Sequence, residues 1–170
     1  MLFGGAGSWK TMNSMHLGKC LATGTDWFGF KTNPATVFTH QVELPKKLVK
    51  DRVVKYYDSC REHSGNLFFK TPEDDILLDT TVGISSLQHD IEEVIRRAAD
   101  PSLPLVCILD PLYMHMAGHI SDGYEVQKFQ RNINIIRRKY HVTFIIIHHS
   151  RLTRVDNSGA VVDLGDEEIM

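Results

Sequence analysis

At 170 residues the chain has the size of one domain, and 42% hydrophobic against 24% charged residues exclude a disordered polymer. Its 19 lysines and arginines face 21 aspartates and glutamates, a formal net charge of -2, so overall charge gives no argument for nucleic-acid binding. No apolar run is long enough to span a bilayer. Cys20, Cys60 and Cys107 form no C-x-x-C pair, so they read as buried thiols of a soluble cytoplasmic protein.

Met1-Leu2-Phe3 reads as the end of a strand that runs into a glycine-rich turn. A helix is predicted from Lys10 to Ala22, stopped by Gly24. After the Asn33-Pro34 turn, Thr36–Val42 is rich in β-branched residues and reads as a strand with Glu43 at its carboxyl end. Pro45 can open the next helix, whose apolar positions Val49, Val53, Tyr56/Tyr57 and Cys60 follow a helical period. Asn66–Lys70 reads as a short strand. Thr71–Gly83 reads as irregular, with room for a small strand at Ile76–Leu78.

Leu87, Ile91, Val94/Ile95 and Ala98 mark a helix that the Ser85-Ser86 pair can cap. Leu105–Leu109 is a continuous apolar run ending on Asp110, the pattern of a strand covered on both faces. A loop, Pro111–Gly123, precedes a helix marked by Val126, Phe129, Ile133 and Ile136. His141–Ile147 is the last apolar strand, ending at His148-His149, and residues 150–170 read as a polar, mobile tail. Strand and helix alternate throughout, which predicts a single α/β domain over 1–170: a mainly parallel sheet with helices on both faces.

The segment Gly4-Gly5-Ala6-Gly7-Ser8-Trp9-Lys10-Thr11 follows the phosphate-loop pattern G-x-x-x-x-G-K-[ST], except that Trp9 stands at the second glycine. Small residues let the backbone curl so that its N–H groups point at phosphate oxygens. Lys10 is placed to reach the β and γ phosphates of ATP, and the Thr11 hydroxyl to hold Mg²⁺. The following helix presents its positive end to the anion. The bland alternative is a glycine-rich turn that merely starts a helix. About a hundred residues on, Leu105–Asp110 reads as the Walker B strand, its carboxylate at the sheet edge where α/β folds bind ligands. Glu43 can orient or deprotonate a water; its plain alternative is a strand-end carboxylate favouring the next helix's N-terminus.

His148 and His149 can each contact a γ-phosphate, but adjacent strand residues face opposite ways and will not share that task. His115 and His119 are four apart without the flanking pattern of a zinc site, which disfavours one. Arg131, Arg137, Arg138 and Lys139 read as a solvated helix face.

The series Gly4–Thr11, Asp26-Trp27-Phe28-Gly29, Gln41-Val42-Glu43-Leu44-Pro45 with Arg52, Leu109-Asp110-Pro111-Leu112 and Ile147-His148-His149-Ser150-Arg151 resembles a known family. This is the AAA_25-type group of RecA-fold ATPases, related to the RepA replicative helicase and the KaiC/RadA-like proteins. The resemblance implies ATP and Mg²⁺ binding by Lys10, Thr11 and Asp110. It implies Glu43 as the catalytic carboxylate and His149 as the γ-phosphate sensor, with His148 second to it. It places the strand ending at His148 between the phosphate-loop strand and the Walker B strand. It also implies a ring, often hexameric, with a basic residue supplied in trans, for which Arg151 and Arg154 are candidates. On this reading the chain is a fragment lacking further strands, and its work is DNA replication, recombination or repair, as a helicase or accessory motor. Two other readings stand beside it: a nucleotide-binding assembly module that does not travel on DNA, and a fragment that has lost catalysis.

Overall fold

The computed structural model describes residues 2–4, 8–58, 65–71, 76–149, 153–155 and 161–163. Five parallel strands form the central sheet: β1 (Leu2–Gly4), β2 (Thr36–Gln41), β3 (Leu67–Lys70), β4 (Leu105–Asp110) and β5 (Thr143–His149). Their spatial order is β1-β5-β4-β2-β3. The strand ending in the two histidines therefore lies between the glycine-loop strand and the strand ending on Asp110, as expected.

Position in the sheet follows composition. All six residues of β2 and all six of β4 are buried, and these are central strands. The half-buried β3 forms one edge of the sheet.

Helices α1 (Lys10–Thr23) and α2 (Lys46–Asp58) cover one face of the sheet; α3 (Thr81–Arg97) and α4 (Gly123–Tyr140) cover the other. On the α1 face Val37, Val106, Ile108 and Ile147 pack with Ala22 and Ala35. On the far face Phe38, Cys107 and Leu109 meet Leu87, Ile91, Phe129, Ile133 and Ile136. The two-residue period of the strands produces this division. It also sends Gln41 toward α1 and His40 toward α3 and α4.

Gly24 ends α1 in the left-handed region, φ 67°, and its N–H bonds the Cys20 carbonyl. The structure corrects the start of α3. The Thr80 side chain, not the Ser85-Ser86 pair, caps it by accepting the Gly83 N–H at 3.1 Å. A Cβ on Gly83 would stand 2.1 Å from the Leu77 carbonyl oxygen, so glycine lets the first turn of α3 lie against the preceding chain. No strand forms at Ile76–Leu78; Leu78 is fully buried and its N–H bonds the His115 carbonyl. The loop after β4 contains a 3-10 turn, Leu112–His115. Beyond β5, β6 (Thr153–Val155) and β7 (Val161–Asp163) pair as an antiparallel ribbon within the segment read as a polar, mobile tail. Cys60 lies outside the described residues.

Candidate nucleotide-binding site

The parallel strands bring their carboxyl ends to one edge, and α1 begins there. Gly4 ends β1 in register with His149 of β5, and Gln41 of β2 stands in register with Asp110 of β4. Gly5, Ala6 and Gly7 lie outside the described residues, as does Arg151; of His149 and Arg154 the backbone alone is described.

Trp9 is the N-cap of α1 with φ 60° and ψ 20°. This left-handed geometry is free for glycine and costs other residues roughly 1–2 kcal/mol. The tryptophan thus adopts the backbone conformation that suits the glycine of the phosphate-loop pattern, and its indole is 72% exposed. Lys10 is 9% exposed; its ammonium donates to the Gly4 carbonyl at 2.7 Å and to the Ser8 hydroxyl at 3.2 Å. The lysine is therefore held over the loop that precedes it.

Thr11, in the first turn of α1, lines a cavity of about 10 Å³ together with Ser14, Thr39, Gln41, Arg52 and Asp110. That is room for about one water. Asp110 is completely buried, and neither carboxylate oxygen has a hydrogen-bond partner of normal geometry. Burial pushes its pKa up to about 6; the nearby Thr11 hydroxyl opposes this, the Glu43 charge adds to it, and Gln41 and Lys10 oppose it. A carboxylate stripped of partners beside a hydroxyl and an ammonium is an acceptor prepared for a hydrated cation.

Gln41 is a site residue that motif reading passed over. Its side-chain oxygen accepts the Leu44 N–H at 2.8 Å, while its buried amide nitrogen has no partner. It stands in the series that carries the family resemblance, two residues before Glu43, without a role being read for it. Glu43 is exposed at the end of β2, and the Tyr113 hydroxyl donates to its Oε1 at 3.4 Å. Of the residues predicted from three separate stretches of sequence, Thr11 and Asp110 line the same cavity, and the charges of Lys10 and Glu43 both act on Asp110. His148 is half-buried, and its Nδ1 is buried without a partner.

His115 and His119 form no metal pair. His115 is fully buried with both ring nitrogens engaged, and no group of three or more candidate ligands occurs among the described residues.

A family model described as an AAA domain, AAA_25, matches residues 1–154. The chain belongs to the AAA_25 family. Strand order, glycine loop and buried strand-end aspartate are those of a RecA-like P-loop fold, and the family carries a nucleotide-binding, P-loop ATPase function. No curated protein matches the chain. Within the described residues of this AAA_25 domain, no helix is long and apolar enough to cross a membrane.

Proposed function

We propose that this AAA_25 domain binds ATP with Mg²⁺ and hydrolyses it, as the motor of a protein acting on DNA in replication, recombination or repair. The observation that carries the ATP reading is Asp110, a fully buried carboxylate with two unpartnered oxygens beside Thr11 and near Lys10 and Glu43. Its chemistry fits a divalent cation, whose charge would offset the cost of burying the carboxylate.

In this reading Gly4–Trp9 wraps the phosphates with backbone N–H groups, and Lys10 leaves the Gly4 carbonyl to reach the β and γ phosphates. Thr11 and Asp110 hold the hydrated Mg²⁺, which supplies charge neutralisation when bound. Glu43 accepts the proton of the attacking water or orients it. His149 senses the γ-phosphate. Its backbone is in register with Gly4, and the strand period places position 149 on the same sheet face as Ile145 and Ile147, the α1 face. His148 falls on the opposite face and is the second candidate.

The DNA assignment and a ring assembly, hexameric or otherwise, rest on the family resemblance, with Arg151 and Arg154 as candidates for the residue supplied in trans. Residues 1–170 serve as one ATPase domain. A nucleotide-binding regulatory or assembly module is the alternative. Steady-state ATP turnover with and without single-stranded and duplex DNA separates the two. Stimulation of turnover by DNA is the result the motor reading expects; identical rates with and without DNA, in a protein that still hydrolyses ATP, favour the module. ATP binding without hydrolysis under all these conditions identifies an inactive domain.

A further inference from the structure

The far face of the sheet carries polar groups that the proposed ATP chemistry does not use. His40, in β2, and His115, in the 3-10 turn after Asp110, are both completely buried. His115 Nδ1 lies 2.7 Å from the Pro111 carbonyl oxygen, and His115 Nε2 lies 2.7 Å from His40 Nδ1.

These contacts assign the protons. A carbonyl oxygen only accepts, so His115 carries its proton on Nδ1 and its Nε2 is bare. His40 must then donate from its own Nδ1, which leaves His40 Nε2 bare, and that atom is buried without a partner. Two rings share two protons, and the chain of donation runs His40 to His115 to Pro111. Burial holds both pKa values low, His40 at about 3 and His115 at about 4, with the His115 ring and then Lys70 adding to the drop at His40 and the Pro111 contact opposing it at His115. The charged groups nearby are Lys70, at the end of β3, and its ion-pair partner Asp90 of α3.

The two ends of this chain matter because of where they sit. His40 precedes Gln41, the last residue of β2, with Glu43 two residues beyond it, and Pro111 directly follows Asp110, the last residue of β4. The turn that His115 anchors also carries Tyr113, whose hydroxyl reaches Glu43. The Leu78 N–H fixes the same turn from outside by bonding the His115 carbonyl at 2.8 Å.

We propose that His40 and His115 are positioning residues, a neutral imidazole pair that locks the turn after Asp110 to β2 and so sets Asp110 and Glu43 relative to each other. The proposal rests on the reading above, its Mg²⁺ arm on Asp110 as a cation ligand and its kinetic arm on hydrolysis. It accounts for a buried histidine pair beside the apolar cluster of this face. An apolar pair would fill the space but would leave the Pro111 carbonyl without its donor and the turn without a fixed register.

The test compares His40→Leu with His40→Asn in the full chain. Asparagine keeps an N–H donor where His40 Nδ1 stands; leucine fills the space and donates nothing. Two quantities are read: kcat and KM for ATP, and the Mg²⁺ concentration that half-saturates binding of a fluorescent ATP analogue. His40→Leu is expected to raise the half-saturating Mg²⁺ concentration and lower kcat, each by about tenfold, the scale of losing a group that orients a metal ligand. KM for ATP should change little, and His40→Asn should restore both quantities to within a small factor of wild type. Wild-type behaviour of His40→Leu overturns the proposal, and so does equal impairment of both variants, since then the donor is irrelevant. Should His40→Leu fail to fold, His115→Asn carries the test: it keeps a donor for the Pro111 carbonyl and no longer reaches His40. The same Mg²⁺ shift supports the pair, and unchanged Mg²⁺ dependence overturns it. Glu43→Gln is run alongside. Undiminished turnover in that variant defeats the hydrolysis reading, while the Mg²⁺ measurement still decides the histidine pair.

Discussion

Replacing Asp110 by asparagine should stabilise the protein in the absence of nucleotide while destroying its ability to use Mg²⁺. The Asp110 carboxyl is lifted from 3.8 to about 6, first by burial. At about 1.4 kcal/mol per pH unit, ionising it in the folded chain costs on the order of 3 kcal/mol. The folded pKa is raised, so the folded state binds the extra proton between pH 3.8 and 6. The carboxyl therefore favours folding below pH 3.8, and that support is lost as pH rises through 6. Asparagine removes the charge but leaves an amide that needs a partner, which takes back about 1 kcal/mol. The net gain near pH 8 is then about 2 kcal/mol, or roughly 4–8 °C in Tm for a domain of this size. The assay is thermal unfolding of both proteins between pH 4.5 and 8.5 without nucleotide. The Tm difference should shrink as pH falls below 6 and vanish at roughly pH 4.5, where the cost of the charge has dropped to that of the amide. An Asp110→Asn protein less stable than wild type at pH 8, or a gain that does not change with pH, refutes the reasoning.

Lys10→Ala should weaken binding of a fluorescent ATP analogue by tenfold or more, since a charge-assisted contact to phosphate contributes about 1.5–3 kcal/mol; titration of the two proteins decides it. His149→Ala should spare ADP affinity and reduce the ATP-to-ADP affinity ratio, with His148→Ala doing less; paired ATP and ADP titrations read this, and the reverse order would transfer the sensor role to His148. The lowered pKa values of His40 and His115 give a stabilisation that is present above the unfolded value of 6.5 and is lost as pH falls below it. In the Asp110→Asn background, where the opposing carboxyl is absent, Tm should therefore fall between pH 6.5 and 5, and should fall less in a variant that also carries His40→Leu.

The parts of the fold that were legible in the sequence are those fixed by local pattern. The six buried residues Leu105–Asp110 form a continuous run that suits only a central strand, and Gly24 and Asp110 mark ends that single residues can mark. The place of β5 between β1 and β4 came from the family resemblance, because nothing local distinguishes one buried strand from another. The start of α3 was missed because Thr80-Thr81-Val82-Gly83 reads as strand or turn by propensity. The close approach of Gly83 to the Leu77 backbone and the Thr80 cap, which no propensity records, override that reading. At the site, Lys10, Thr11, Glu43 and Asp110 announced themselves by motif. Gln41 was quoted in the same series without a role, since its place beside Asp110 comes from cross-strand register. The pairing of His40 with His115 links residues 75 apart in the chain and leaves no periodic trace.

If Glu43, Lys10, Thr11 and Asp110 together form an ATP-hydrolysing site, Glu43→Gln, compared with wild type, separates binding from turnover. ATP affinity in Mg²⁺ and ATP turnover are measured on both proteins. Affinity should stay within a small factor of wild type and turnover should fall by about 10²-fold, the scale of losing a general base. Turnover that survives the substitution, or affinity and turnover lost together, would contradict it.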